Sequence, residues 1–470
     1  MLRSELDGQS LGLLGFGREG QATRTWLRKA FPDLPLTLYS ESPLPATVVD
    51  ALGQHDRLVV APLDGAALRS HDVLVRSPGI SPYRKELREA GEAGVRFTSG
   101  TNLWMTEHSD VRTLCVTGTK GKSTTTALLT HLLSAAGARV RMAGNIGIPL
   151  VACDPTDADW WVVELSSYQL CDLEAPPWLA LLLNLSDEHL DWHGSAERYH
   201  RDKLRLAELA PSGRLLANGQ CPLFRSALAH RTDTAWYNMP ETIHVQNGVL
   251  WRGAERLPDL PGAPGPHNLE NLAGALSVLD HIGLWPEPLA PALASFKGLP
   301  HRQYTLGWRG GLRFVDDSLS TTPVATLAAL EALRVTPGGD DAQVIDGQPS
   351  AHMAEAQSAT PAVTVLVGGL DRGIDWSVHI DLLRRAAPHT LIGLPDSGSR
   401  LIRVLEAAGL RPPGGMHVAR DMREAVDLAL CKTPRGGTVL LSPGAPSFPV
   451  YRDYRERAQA FAQAAGLSAA

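Results

Sequence analysis

The run Thr117-Gly118-Thr119-Lys120-Gly121-Lys122-Ser123-Thr124 constrains the fold of this chain more than any other feature. It follows a short apolar run, Leu114–Thr117, and precedes Leu128, Leu129, Leu132 and Leu133 at helical spacing. A strand, a glycine-rich loop, a Lys-Ser pair and a helix start, in that order, make an anion cradle. Loop N–H groups and the positive helix end hold phosphate, Lys122 reaches the outer phosphoryl oxygens, and Ser123 can ligate Mg²⁺. Val116 stands where the full signature has a glycine. A plain glycine-rich strand–helix turn is the alternative reading.

Other short apolar runs recur, each bounded by turn residues and followed by a helix-like stretch. The clearest are Leu11–Leu14, Leu36–Tyr39, Val73–Val75, Trp160–Leu165, Leu179–Leu185, Arg313–Val315, Val363–Val367 and Val439–Leu441. Such runs predict buried parallel strands, and so an α/β fold. A chain of 470 residues has room for about three domains. The junctions are expected near Ser99–His108 and near Gly298–Arg302, giving 1–106, 107–300 and 301–470. The polar, aperiodic segment Thr336–Pro361 reads as a surface insertion in the third part.

The net charge is −6 and no basic patch stands out, so nucleic acid is not an expected partner. The five cysteines are scattered, with no C-x-x-C pair, which argues against a zinc site or a disulfide framework. There is no signal-peptide pattern at the start, and no apolar run reaches about 18 residues. A cytoplasmic monomer with no membrane contact is the expectation.

Acids and histidines gather after the predicted strands. Glu164 interrupts Trp160–Leu165, and a carboxylate there is costly unless it faces a cation. His189 follows the run Leu179–Leu185. Carboxyl ends of adjacent parallel strands meet at a site, so Glu164 and His189 are candidate Mg²⁺ ligands. Lys203 falls on or near the apolar face of a helix predicted over Glu197–Leu209. Read alone, it is a lysine whose stem lies along apolar surface with its charge in water.

Taken together these segments resemble the Mur ligases. The match runs through Thr117–Thr124, Gly144-Asn145-Ile146-Gly147, Glu164-Leu165-Ser166-Ser167-Tyr168-Gln169-Leu170, Asp187-Glu188-His189-Leu190-Asp191, Tyr199–Arg205, His267-Asn268-Leu269-Glu270-Asn271 and Gly298-Leu299-Pro300-His301-Arg302. The resemblance implies three domains: a Rossmann-like one for a UDP-linked substrate, a central ATPase and a Rossmann-like carboxy-terminal one for an amino acid. It implies ATP-dependent amide formation, with UDP-N-acetylmuramoyl-L-alanine and glutamate as substrates. Lys122, His189, Lys203 and Asn145 would be catalytic. Gly118, Thr119, Lys120, Gly121, Ser123 and Thr124 would hold the phosphates. Asn268 and Asn271 would lie at the adenine, and Arg302 and Asp317 at the ATP edge of the third domain. Lys203 would be carbamylated and, with Ser123, Glu164 and His189, would hold Mg²⁺, a second ion included.

Gly15-Phe16-Gly17-Arg18-Glu19-Gly20 follows Leu11–Leu14. Alone it suggests a dinucleotide oxidoreductase, with Glu41 as the acid after the second strand. The resemblance instead gives this loop to the UDP group, through Gly15, Phe16, Gly17, Ser40 and Glu41, with Ser77 and Gly79 from a second loop and Asn145 from the centre.

The chain departs from the family at the start of the third part. Asp316-Asp317-Ser318-Leu319-Ser320-Thr321-Thr322 has Leu319 where the glutamate-adding members carry a lysine of the amino-acid site. Thr321, Arg372, Ser442 and Phe448 match or nearly match the rest of that site. An anchoring Arg372 with an apolar Leu319 points to L-glutamate rather than the usual D-glutamate. Two remoter readings are a folylpolyglutamate synthase-like ligase, whose family begins directly at the phosphate loop, and a Mur-like subunit without catalysis.

Overall fold

The computed structural model describes residues 1–260, 266–371 apart from 336–361, and 373, 376–448 and 450–469. The expected insertion at 336–361 and Arg372 lie outside the described residues. The chain forms two compact units, one of Met1–Asp259 with Pro266–Leu293, the other from Ala294 onward.

The first unit holds two parallel sheets. The amino-terminal sheet contains β1 (Leu11–Leu14), β2 (Leu36–Ser40), β3 (Asp56–Val60), β4 (Val73–Arg76) and β5 (Arg96–Thr98), in the order β3-β2-β1-β4-β5. The central sheet contains β6 (Arg112–Thr117), β7 (Val140–Gly144), β8 (Trp160–Glu164), β9 (Leu179–Leu182), β10 (Leu215–Asn218) and β11 (Ala235–Tyr237), in the order β11-β10-β9-β6-β8-β7. A small antiparallel sheet of β12 (Ile243–Gln246), β13 (Val249–Arg252) and β14 (Glu255–Arg256) follows.

The second unit has one six-stranded sheet. Its strands are β15 (Tyr304–Arg309), β16 (Leu312–Asp316), β17 (Val363–Val367), β18 (Thr390–Gly393), β19 (Met416–Val418) and β20 (Thr438–Leu441). Their order is β15-β16-β20-β17-β18-β19, and only β15 runs antiparallel to its neighbour.

The α/β reading rests on the apolar runs, and all nine of those cited form strands with ends shifted by a few residues. Their burial explains why they were readable. β8 and β9 are buried at every residue because helices cover both faces of a parallel sheet. The edge strands β3 and β7 carry exposed Arg57 and Arg141, which break the apolar pattern. The stretch Ser99–His108, expected to be a junction, is a capped helix, Gly100–Glu107, with the Ser99 hydroxyl accepting from the Asn102 N–H. Its Leu103 packs in the amino-terminal core and its Trp104 in the central core. Each fully buried large side chain of this kind contributes roughly 1.5–3 kcal/mol.

Candidate active site

The phosphate loop leaves the carboxyl end of β6 and enters the helix Lys122–Ala135. Gly121 caps that helix at φ +83°, and a Cβ there would meet the Asn271 Oδ1 at 2.1 Å. Both facts require glycine. A Cβ on Gly118 would come within 2.9 Å of Leu183. The Asn184 side chain accepts from the Lys120 N–H at 2.8 Å and donates to the Lys120 carbonyl at 3.1 Å, which fixes the loop against the end of β9. Lys120 itself is exposed and pairs with Glu188. The Thr119 hydroxyl lies 2.9 Å from the Tyr199 hydroxyl. The Lys122 ammonium donates to the carbonyls of Gly118 and Thr119, each at 2.9 Å. Ser123 is buried in the first turn and Thr124 half-buried beside it. Asn268 and Asn271 sit on the helix Pro266–Ile282, with the Asn271 amide donating to the Asn268 Oδ1 at 3.2 Å.

Around this loop stand the other candidates of the first unit. Glu164 ends β8, fully buried. Its Oε1 accepts from the Asn145 amide at 2.7 Å, while its Oε2 has no hydrogen-bond partner among the described residues. Lys203 is 2% exposed, and its amine makes no hydrogen bond or ion pair among the described residues; it lies 5.3 Å from the centre of the Tyr199 ring. Burial pushes its pKa far below the usual lysine value, Lys122 adds to the shift, and Glu188 and Glu164 oppose it. That shift favours the neutral, nucleophilic form of the amine. His189 is partly exposed at φ +55°, and partial desolvation of its ring lowers its pKa, which favours the neutral imidazole that can ligate a metal.

These residues suit Mg²⁺. A buried carboxylate oxygen without a partner is costly unless a cation faces it. Among the described residues no three His, Cys, Asp or Glu side chains converge as a preformed cage.

The amino-terminal sheet contributes a second loop cluster. Strand order reverses between β1 and β4, and the loops after these strands flank the crevice where ligands bind in such sheets. Gly15 turns at φ +82°, and a Cβ on Gly20 would meet its carbonyl oxygen at 2.2 Å. The Ser77 hydroxyl donates to the same carbonyl at 2.8 Å, tying the two loops together. Gly17 caps the helix Arg18–Ala30 without a side-chain bond, and Gly17 and Gly79 have open space where a Cβ would stand. Phe16 and Ser40 are buried. Glu41 is held by Arg84 through two bonds of 2.8 Å, which lower its pKa. Arg18 donates to the Asn145 carbonyl at 3.3 Å, so Asn145 touches both loop clusters.

Two buried groups were not singled out in the sequence. Arg76, at the end of β4, donates to the carbonyls of Ile80 at 2.6 Å and Tyr168 at 2.8 Å and pairs with Asp172 at 2.8 Å. A charge ending an apolar run was the available signal. The other is a chain of bonds through Tyr83, Asp202, His193 and Ser167, whose members meet only in three dimensions.

In the second unit, the loops after β16, β20 and β17 meet at the carboxyl ends of adjacent strands. The Ser442 hydroxyl donates to the Asp317 Oδ2 at 2.7 Å, and the Gln303 N–H to its Oδ1 at 3.2 Å. Leu319 and Thr321 are half-buried in the loop after β16, where the Leu319 N–H donates to the His301 carbonyl at 3.1 Å. Buried Arg457 donates to the Ser318 and Ala445 carbonyls, each at 2.9 Å, which joins two of these loops. Arg302 is exposed, and Phe448 is 63% exposed.

Burial raises the Asp317 carboxyl to about 7. Its protonated form is favoured by folding, so it costs stability progressively as pH rises from about 4 to 7, by up to about 1.4 kcal/mol per pH unit. Asp317→Asn is expected to flatten that decline. Denaturant unfolding of both proteins at pH 5 and pH 7 checks this, and identical slopes would refute it.

A family model described as the Mur ligase middle domain matches residues 116–279. The chain is 40% identical over 481 residues to the UDP-N-acetylmuramoyl-L-alanine–L-glutamate ligase of Xanthomonas euvesicatoria pv. vesicatoria, covering 99% of this chain and 97% of that one. It is 41% identical over 479 residues to the ligase of the same name from Xylella fastidiosa, covering 99% and 96%. The fold is similar to that of the MurF ligase from Thermotoga maritima in complex with ADP, at a TM-score of 0.57 and 17% identity over 97% of this chain and 95% of that one. Among the described residues no helix is long and apolar enough to cross a membrane. With two-fifths identity over nearly its whole length, the chain belongs to the Mur ligases, the ATP-dependent amide-bond-forming ligases of peptidoglycan synthesis.

Proposed function

We propose that this chain joins L-glutamate to UDP-N-acetylmuramoyl-L-alanine through an acyl phosphate made with ATP, acting in the cytoplasm as a monomer. In this reading residues 1–106 take the UDP substrate, 107–300 carry out phosphoryl transfer and 301–470 take the amino acid. A carboxylate does not react with an amine at neutral pH. Transfer of the terminal phosphoryl group of ATP to it makes an electrophile, and the glutamate amine then displaces phosphate.

The chain's own groups fit these steps. The N–H groups at the start of the helix Lys122–Ala135 hold the phosphates, and Lys122 neutralises charge on the one in transfer. The loops after β1 and β4 receive the UDP group, and Asn145 sets the acceptor end beside Glu164. Ser123, Glu164, His189 and carbamylated Lys203 would hold Mg²⁺, including a second ion. When bound, Mg²⁺ offsets the charge that develops on the phosphate oxygens. Asn268, Asn271, Arg302 and Asp317 would serve ATP.

The observation that carries the choice of L-glutamate is Leu319, an apolar side chain in the loop beside Asp317 and Ser442. A charge-assisted hydrogen bond to a carboxylate is worth roughly 1.5–3 kcal/mol, about 10- to 100-fold in affinity. A lysine replaced by leucine therefore weakens the D-glutamate pose that needs it by about that factor. If Arg372 anchors the side-chain carboxylate and the amine faces the acyl phosphate, inversion at Cα exchanges the α-carboxylate and the hydrogen. Leu319 then packs against the hydrogen side, and Thr321, Ser442 and Phe448 remain for the rest of the ligand. The relatives named as L-glutamate ligases support the same choice. The expected result is a kcat/KM at least about 10-fold higher for L- than for D-glutamate. A preference for D-glutamate would return the chain to the usual stereochemistry and leave the ligase reading intact.

A further inference from the structure

The four members of the buried bond chain come from separate segments. The Tyr83 hydroxyl donates between both oxygens of Asp202, at 2.6 and 2.7 Å. The Asp202 Oδ2 also bonds the His193 Nδ1 at 2.7 Å, and the His193 Nε2 lies 3.0 Å from the Ser167 hydroxyl. His193 is fully buried and Asp202 nearly so. Ser167 stands three residues after Glu164, His193 four after His189, and Asp202 immediately before Lys203. Each of three segments bearing a candidate metal ligand thus supplies one link. The fourth link, Tyr83, ends the segment that begins with the UDP-loop residues Ser77 and Gly79. That segment has a parallel attachment: the Ser81 hydroxyl donates to the Trp192 carbonyl at 2.8 Å, and the Trp192 indole N–H to the Gly79 carbonyl at 3.3 Å.

We infer that Tyr83, Asp202, His193 and Ser167 are positioning residues that lock the acceptor loop to the three metal-bearing segments, so that the acceptor and the ions are set by one rigid polar network. The inference rests on the proposed function for the identity of the two ligands. Its basis is geometric. Asp202 and His193, the two inner members, each have a partner on both sides, and a paired buried network holds one arrangement where apolar contacts would allow several. Groups behind the direct ligands set their orientation, and disturbing them typically costs about 10- to 100-fold in affinity or activity. None of the four need touch substrate.

The test compares Tyr83→Phe, Asp202→Asn and the double variant with the wild type. Binding of UDP-N-acetylmuramoyl-L-alanine is measured by calorimetry without nucleotide or Mg²⁺, and Mg²⁺ dependence is measured in turnover. Tyr83→Phe removes one hydroxyl and leaves the Asp202–His193–Ser167 links. It is expected to raise the acceptor Kd about 10-fold and to leave ATP affinity within about twofold. Asp202→Asn is expected to raise both the acceptor Kd and the Mg²⁺ concentration for half-maximal rate. Because the two share one bond, the double variant should bind acceptor no more than about threefold worse than Asp202→Asn, well short of the product of the single effects. A Tyr83→Phe protein with unchanged acceptor Kd, or effects that multiply, overturns the inference. If Asp202→Asn fails to fold, Tyr83→Phe alone decides. A wild type that shows no acceptor-dependent phosphate release would instead defeat the proposed function, so the two failures are distinct.

Discussion

Lys122→Ala is expected to lower turnover by at least about 100-fold while the fold persists. The side chain sits at the first position of the helix Lys122–Ala135, half-buried, with its ammonium on the carbonyls of Gly118 and Thr119. Those carbonyls belong to the loop proposed to hold the phosphates. In the proposed reading the ammonium would stand where charge accumulates as the terminal phosphoryl group moves, and a low-dielectric loop would magnify its effect. The structural cost is smaller. Two net hydrogen bonds at about 1 kcal/mol each are lost from a loop that Asn184 and Thr119 still fix. Circular dichroism and the thermal midpoint should change little, while phosphate release coupled to glutamate and acceptor should nearly vanish. Turnover above about a tenth of the wild-type value would count strongly against phosphoryl transfer at this loop.

Lys203→Ala is expected to be nearly inactive and to recover part of its activity with short carboxylic acids such as acetate. Burial disfavours the charged form of Lys203, which makes its free amine easier to reach. A neutral amine adds to CO₂ and loses a proton, which gives a carbamate and turns a cation into an anion. That anion would face the same ions as the unpaired Glu164 Oε2. Removing the side chain deletes the anion and leaves space for a small carboxylate to replace it. Stability separates this role from a packing role. The amine of this buried side chain has no hydrogen-bond or ion-pair partner among the described residues, so Lys203→Met should fold about as stably as the wild type yet turn over no faster than Lys203→Ala. A fully active Lys203→Ala returns the residue to a lysine whose stem merely packs, and an inactive variant that no carboxylic acid restores removes the carbamate.

What the sequence by itself determined is local. The runs that form β6, β8 and β9 are apolar over most of their length, β8 broken only by Glu164, because parallel strands are buried on both faces, and that pattern survives in one dimension. Gly121 and Gly15 are legible for a similar reason, since each turns at a positive φ that the neighbouring residues already mark as a loop. Glu164 was legible as a charge inside an apolar run. Lys203 was not decided at that level, because a helical lysine near an apolar face is ordinarily solvated at its tip. Only the packing of Tyr199 and the neighbouring strands leaves its amine enclosed. The same holds for Tyr83 and Asp202, which are separated by 119 positions, and for Arg76 and Asp172, separated by 96. Their spacing carries no periodic signal. Such pairs become bonds only when the end of β4 is brought against the segment after β8, where a buried charge must find a partner and water is absent.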